Sequence, residues 1–468
     1  FEAGGADLHY RVSAHYAAGT HAHYDVFAPN RLRTNHLGGT DLTPTGWLRV
    51  KDAPDGRAID EALETEHEAV FHRVMETLTA HAWPAVEPYA QTIAIDVAVA
   101  GIERDLAYGD EVMSTREALH EDLYFSLLEY FRHRSGRPPE DRDLKPGQIV
   151  PDIRAGEGDA MVRVALRPFG PPQDPVRPEQ DLEEAQAAPG LAQIERELDA
   201  LPGEAFACLS CEGRPVRGKY RAGTRPALLV SAGQHPNEVS GPVGALRAAR
   251  RLLADPETNL AIIPVENPDG YALHGRLCEA NPRHMHHAAR YTSLGSDVEY
   301  NPEIEKVARL EILQTSAASL HVNLHGYPAH EWTRPFTGYL PRGFELWTIP
   351  KGFFLVMRHH AGWAAAARAL VEAVTRRLAE IPGLTEFNRR QIEICSIHTG
   401  GTPYEIVNGV PCLVSASDQH PVPMTLITEF PDETIYGEPF RFAHTVQMTA
   451  VLAAEEALFR LLGEARIA

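Results

Sequence analysis

From residue 205 onward the chain alternates short, unbroken apolar runs with amphipathic stretches. That alternation restricts it to strands buried on both faces by helices. Ala227 to Ala232 is one such strand, and Leu260 to Val265, Leu320 to Leu324, Cys412 to Ser415 and Thr425 to Thr428 are others. Between them Gly241-Pro242 opens a helix that turns Leu246, Ala249, Leu252 and Leu253 inward. Trp363, Leu370, Val371, Val374 and Leu378 mark a long helix, and a last one runs from Phe442. The expected fold class is α/β, a mixed, mostly parallel sheet flanked by helices on both faces. Ligands in such folds bind at the carboxyl ends of the strands, where the polar residues of this chain gather.

At 468 residues the chain exceeds one ordinary core, so two domains are expected. The break falls in Arg167-Pro168-Phe169-Gly170-Pro171-Pro172-Gln173-Asp174-Pro175, with Pro178 and Pro189 beyond it. The predicted division is a smaller α+β domain of unknown role over 1–166, a proline-rich linker and connecting helix over 167–204, and the main domain over 205–468. In the first of these, Thr92 to Val99 and Met161 to Leu166 read as strands. Ser114 with Glu117 forms a capping box opening a helix whose apolar face is Leu119, Leu123, Leu127, Leu128 and Phe131. Gly136 follows its end. His120, Glu121 and Asp122 on that helix are expected on a solvated face.

A net charge of −20 argues against a general phosphate-binding surface, so no nucleic-acid partner is expected. No apolar window is long enough to cross a bilayer, and no membrane partner is expected. The first residues do not read as a secretory leader. Five cysteines make no disulfide framework, and Cys208-Leu209-Ser210-Cys211 has no second half to complete a four-thiolate site. A reducing, cytoplasmic setting is expected.

His235-Pro236-Asn237-Glu238 follows the strand that ends at Ala232-Gly233, and it offers an imidazole and a carboxylate from one short loop. Such a pair can grip one zinc ion, and a catalytic zinc needs a third protein ligand plus an open position. In Leu320-His321-Val322-Asn323-Leu324-His325-Gly326 the stronger candidate is His325, at the end of the apolar run. His321 lies deeper on the same side of the strand and reads as a core histidine. His284, His286 and His287 read as loop residues near the cleft mouth. A zinc-bound water needs a general base, and Glu429 follows the buried run Thr425 to Thr428. Asp432 and Glu433 read as surface acids.

These pieces, with Asn267-Pro268-Asp269-Gly270 between them, resemble the zinc carboxypeptidase family typified by carboxypeptidase A, over roughly residues 205–468. The resemblance implies one Zn2+ held by His235, Glu238 and His325, with Glu429 activating the water. Its expected activity is hydrolysis of a peptide amide next to a free carboxylate. The family's carbonyl-polarising arginine has Arg276 as nearest match, with Arg283 as rival. The family's adjacent Asn-Arg pair, which clamps the substrate carboxylate, has no counterpart here: Asn281 and Arg283 are separated by Pro282, and Arg290 stands alone. Where the family brings a tyrosine over the substrate, beside Gly400-Gly401, the chain has Ser396, Ile397 and His398, with Tyr404 just beyond.

The missing Asn-Arg pair keeps a second enzyme open, a deacylase of small N-acyl amino acids resembling succinylglutamate desuccinylases and aspartoacylases. A zinc-binding module without catalysis is a third reading. The expected partner is thus a small peptide or an N-acyl amino acid. Residues before 205 lie outside the resemblance. They would cap the cleft or form a contact between copies, making a homo-oligomer.

Overall fold

The computed structural model describes residues 2–3, 9–34, 39–51, 54, 56–106, 112–138, 141, 143–171, 173–302, 304–330 and 349–463. The N-terminal part is built mostly of small sheets. Antiparallel hairpins pair His9–His15 with His21–Phe27, Asn30–Thr34 with Thr40–Pro44, and Gly46–Val50 with Ile59–Leu63. Helix α1 (Glu66–Thr79) follows. Strands β1 (Thr92–Val99), β2 (Gln148–Ala155) and β3 (Met161–Arg167) then form a sheet with β1 in the middle, parallel to β2 and antiparallel to β3.

Helix α2 (Thr115–Ser135) packs on that sheet. Its ends are where the sequence puts them. Ser114 Oγ caps the Glu117 N–H at 3.0 Å, and Gly136 ends the helix at φ 69°. The other half of the capping box does not form; Glu117 points away from its own N-cap and across to another part of the chain. His120, Glu121 and Asp122 are not solvated but buried, at 2%, 0% and 1% exposure. Residues 281–290 cover the helix face that was expected to meet water.

No helix or strand occurs between β3 and α3 (Leu191–Asp199) among the described residues. Beyond it stand β4 (Glu204–Leu209), β5 (Pro215–Arg221), β6 (Leu228–Ala232), α4 (Gly241–Leu252), β7 (Leu260–Ile263), α5 (Pro268–Ala280) and α6 (Val307–Ser316). The chain continues through β8 (Leu320–Tyr327), β9 (Phe354–His359), α7 (Ala364–Leu378), α8 (Leu384–Thr399), β10 (Glu405–Val407), β11 (Val410–Ala416), β12 (Met424–Pro431) and α9 (Glu438–Leu458). The strands make one mixed sheet in the order β4-β5-β7-β6-β8-β12-β9-β11-β10.

Only the β7-β6, β6-β8, β8-β12 and β9-β11 pairs are parallel; the other four are antiparallel. The expectation of a mostly parallel sheet is thus corrected to an evenly mixed one. The reason is local. The short hairpins β4-β5 and β10-β11 fix antiparallel edges, and β9 runs against β12.

Helices cover both faces. Leu228, Val230, Leu320 and Val322 pack with α4, α7 and α9 on one side, while Leu229, Ala261 and Ile263 meet Ala308, Ile312 and Leu313 of α6 on the other. Each fully buried Leu, Val or Ile side chain among them contributes roughly 1.5–3 kcal/mol. Asn267-Pro268-Asp269-Gly270 is the start of α5. Asn267 Oδ1 accepts the Gly270 N–H at 2.9 Å, and Pro268 fills the first helical position. Among the described residues no helix is long and apolar enough to cross a membrane.

Candidate metal centre

Parallel pairing of β8 with β12 sets His325 beside Glu429 in register. Residues paired this way face the same side of a sheet, so the two side chains emerge together at the carboxyl ends of the strands. The loop leaving β6 brings His235 and Glu238 to the same place. His235 Nδ1 lies 2.9 Å from Glu238 Oε1, and His325 Nδ1 lies 2.9 Å from Glu238 Oε2. One ligand atom from each of the three residues falls within 4.8 Å of the others, and no other group of three such residues does so among the described ones. Two imidazole nitrogens and one carboxylate are the donor set of a catalytic zinc with an open position, so these side chains fit the ion.

The loop is braced from below. Asp432 accepts the Ser240 N–H at 2.8 Å and the Ser240 hydroxyl, anchoring the exit of the His235–Glu238 loop. The same carboxylate explains Gly326. A Cβ at position 326 would lie 2.0 Å from Asp432 Oδ1, so no side chain fits, and the bare backbone N–H reaches Glu238 Oε2 at 3.0 Å. Asp432 and Glu433 are therefore not surface acids; their exposures are 0% and 3%.

Sequence reasoning missed Asp297, whose only signal was a lone acid in a loop. Its Oδ2 lies 3.2 Å from His235 Nε2 and its Oδ1 accepts from Gln234 Nε2 at 3.1 Å. A carboxylate on the far nitrogen fixes which nitrogen of a ligand histidine faces the metal. Burial and the Arg290 charge oppose protonation of His235, but the Glu238 and Asp297 carboxylates outweigh them and raise its pKa to about 9. Burial alone would raise Glu238, yet His235, Arg290 and His325 hold it well below the usual range.

Glu429 behaves oppositely. Burial first, then repulsion from Glu238, push it well above the usual carboxylate range, against Arg290 and Lys351. Its Oε2 has no hydrogen-bond partner among the described residues.

The arginines sort clearly. Arg290 Nη1 donates to Glu238 Oε1 at 2.7 Å and lies 3.8 Å from Glu433 Oε1. Arg276 is exposed on α5 and makes no hydrogen bond or ion pair among the described residues. Arg283 forms an exposed pair with Asp105 at 3.0 Å. Asn281 is turned the other way, its Nδ2 donating to Ile153 O at 2.6 Å. Thus of the arginines named from sequence the structure brings Arg290 alone to the ligands.

The Asn267 motif helps to place it. Asn267 Nδ2 donates to Tyr291 O at 3.0 Å, and a Cβ on Gly270 would lie 2.5 Å from Ala289 O. The motif therefore backs the residues on either side of Arg290.

Tyr404 packs on Phe354 at 5.2 Å between ring centroids, and Phe354 pairs in register with Glu429. His398 lies in α8, and its side chain is outside the described residues. Lys351, also missed from sequence, is buried with Nζ 4.3 Å from the Tyr327 ring, and burial lowers its pKa to about 8. His321 is the core histidine expected, its Nε2 2.8 Å from Ser231 Oγ. His284, His286 and His287 are buried, not at a cleft mouth.

Residues 209–332, which hold all three candidate ligands, match the family described as zinc carboxypeptidase. The class is thereby given: a zinc metallohydrolase whose cofactor is Zn2+, with a C-terminal zinc carboxypeptidase domain. No curated protein sequence matches the chain.

Among solved structures, a metallopeptidase from Shewanella denitrificans is similar over 58% of this chain and 88% of its own, at 16% identity and a TM-score of 0.35. A metallo-carboxypeptidase from Burkholderia cenocepacia is similar over 60% and 70%, at 14% identity and 0.33. Bovine thrombin-activatable fibrinolysis inhibitor, in complex with tick carboxypeptidase inhibitor, is similar over 58% and 95%, at 13% identity and 0.34. At such identities and scores these likenesses say nothing of substrate.

Proposed function

We propose that the chain hydrolyses a peptide amide next to a free carboxylate, with His235, Glu238 and His325 as the zinc ligands and Glu429 as general base. The observation that carries this is the in-register pairing of His325 with Glu429, which sets a buried carboxylate beside the ligand set on one face of the sheet. Zinc, when bound, would acidify water and polarise a carbonyl.

The chain's own groups do the rest. Glu429 Oε2 takes a proton from the attacking water as the water oxygen bonds to the carbonyl carbon. It returns that proton to the amide nitrogen as the C–N bond breaks, leaving a carboxylic acid and an amine. A base held above the usual carboxylate range suits this double duty. Arg290, in contact with Glu238, takes the carbonyl-polarising role expected of Arg276. All five residues lie in the proposed catalytic domain, 205–468.

A second reading, deacylation of a small N-acyl amino acid, is favoured by one observation. Asn281 and Arg283 turn to Ile153 and Asp105 rather than to His235, Glu238 and His325, which supports a site without that carboxylate clamp. The test is metal analysis of the purified protein, followed by assay against N-benzoylglycyl amino acids and against N-acetyl and N-succinyl amino acids. Release of the terminal amino acid from the first set supports the peptidase, and turnover of the second set alone supports the deacylase. Stoichiometric zinc with no amide split in either set overturns both.

A further inference from the structure

The segment carrying Arg290 is gripped by the N-terminal part of the chain. Ser114 Oγ lies 3.1 Å and Glu103 Oε2 3.0 Å from His284 Nε2. Glu117 Oε1 accepts the Met285 N–H at 2.9 Å, and the same carboxylate lies 3.2 and 3.3 Å from His330 Nε2. One turn along α2, Glu121 Oε2 lies 2.6 Å from His287 Nδ1. Met285, Ala288 and Ala289 share the apolar cluster of Leu119, Leu123 and Phe125.

Glu117 and Glu121 are both fully buried. Burying a carboxylate costs several kcal/mol, and apolar replacements are often no less stable. A stability role alone therefore explains these acids poorly. Their contacts converge on two strips of chain that border the metal centre, 284–290 and the exit of β8 at His330. His330 Nδ1 lies 3.1 Å from Thr434 Oγ1, so the strip after β12 is tied in as well.

We propose that Glu117 is a positioning residue of the active site, fixing from α2 the Met285–Arg290 segment so that the Arg290 guanidinium stays against Glu238 and faces the substrate carbonyl. The N-terminal part is then a wall of the active site. This rests on the role given to Arg290 above.

The test is a double-mutant cycle in the full-length, zinc-loaded enzyme on its best N-benzoylglycyl substrate. Glu117→Gln keeps an acceptor for Met285 but loses the charge that holds His330. It should keep zinc and lower kcat roughly tenfold with little change in KM. In the Arg290→Ala background the same change should lower kcat by less than about twofold, because the group it positions is gone. Parent kcat in Glu117→Gln, or an equal loss in both backgrounds, overturns the proposal. Should Glu117→Gln fail to fold, Glu117→Asp, which keeps the charge but shortens the reach to the Met285 N–H and His330, runs the same cycle. A parent enzyme that holds zinc and splits no amide sinks the functional reading instead, and the two failures are distinct.

Discussion

The sheet side and the helix side of the cleft handle buried charge differently. On the sheet side Glu238 and Asp297 are kept ionised and His235 is driven up to about 9, a set of opposite charges around one point. On the helix side burial drives His286 and His287 down to about 4 and Glu121 well above the usual carboxylate range, so most groups there are neutral. Glu117 is the exception. Burial works against its charge, but His330, His284 and the Met285 N–H hold it at about 2. The contrast teaches that one cleft can combine a charged wall, suited to a cation and to proton movement, with a largely neutral wall suited to holding backbone still.

The sharpest way to break this contrast is Glu429→Gln. Turnover should fall on the order of a thousandfold with zinc content unchanged, read from steady-state rates and elemental analysis; the parent rate in that variant would remove Glu429 from the charged wall's chemistry. The neutral wall is tested by pH. His286 is neutral in the folded protein down to about 4 but ordinary, near 6.5, when unfolded. Its contribution to stability is therefore complete above 6.5 and shrinks as pH falls toward 4, by up to roughly 3 kcal/mol. His286→Gln should flatten the fall of Tm between pH 6.5 and 4, and an unchanged slope would show that the imidazole is not kept neutral.

Asp297→Asn should weaken zinc binding about 10–100-fold through loss of the His235 anchor, measured by competition with a chelator. Unchanged affinity would detach Asp297 from the metal wall. At the small end, Arg283→Ala removes an exposed pair with Asp105. It should shift stability by less than about 0.5 kcal/mol and leave kcat/KM alone; a large loss of activity would return Arg283 to the site.

The charged wall was largely legible in sequence because strand-end residues inherit their positions from backbone register. An apolar run ending in His325 and another ending before Glu429 already imply neighbours. The neutral wall was not legible. Glu117 meets Met285 across 168 residues of chain, and no periodicity encodes that meeting. For the same reason His120 and Glu121 read as solvent-facing, since a polar helix face looks alike whether water or another segment covers it. The Ser114–Glu117 signature marked the helix start correctly, yet the glutamate turned outward to Met285 and His330. Spacing ranked Arg276 first, whereas the loop after α5 brings Arg290 to Glu238 instead.

The contact between Gly326 and Asp432 has an evolutionary corollary. A side chain at 326 would meet the Phe430 carbonyl at 2.8 Å as well as Asp432, so shrinking 432 does not admit one, and a shorter residue at 432 would release the Ser240 backbone that seats the His235–Glu238 loop. Drift is therefore closed at both sites, and any descendant that changes either one should be found impaired.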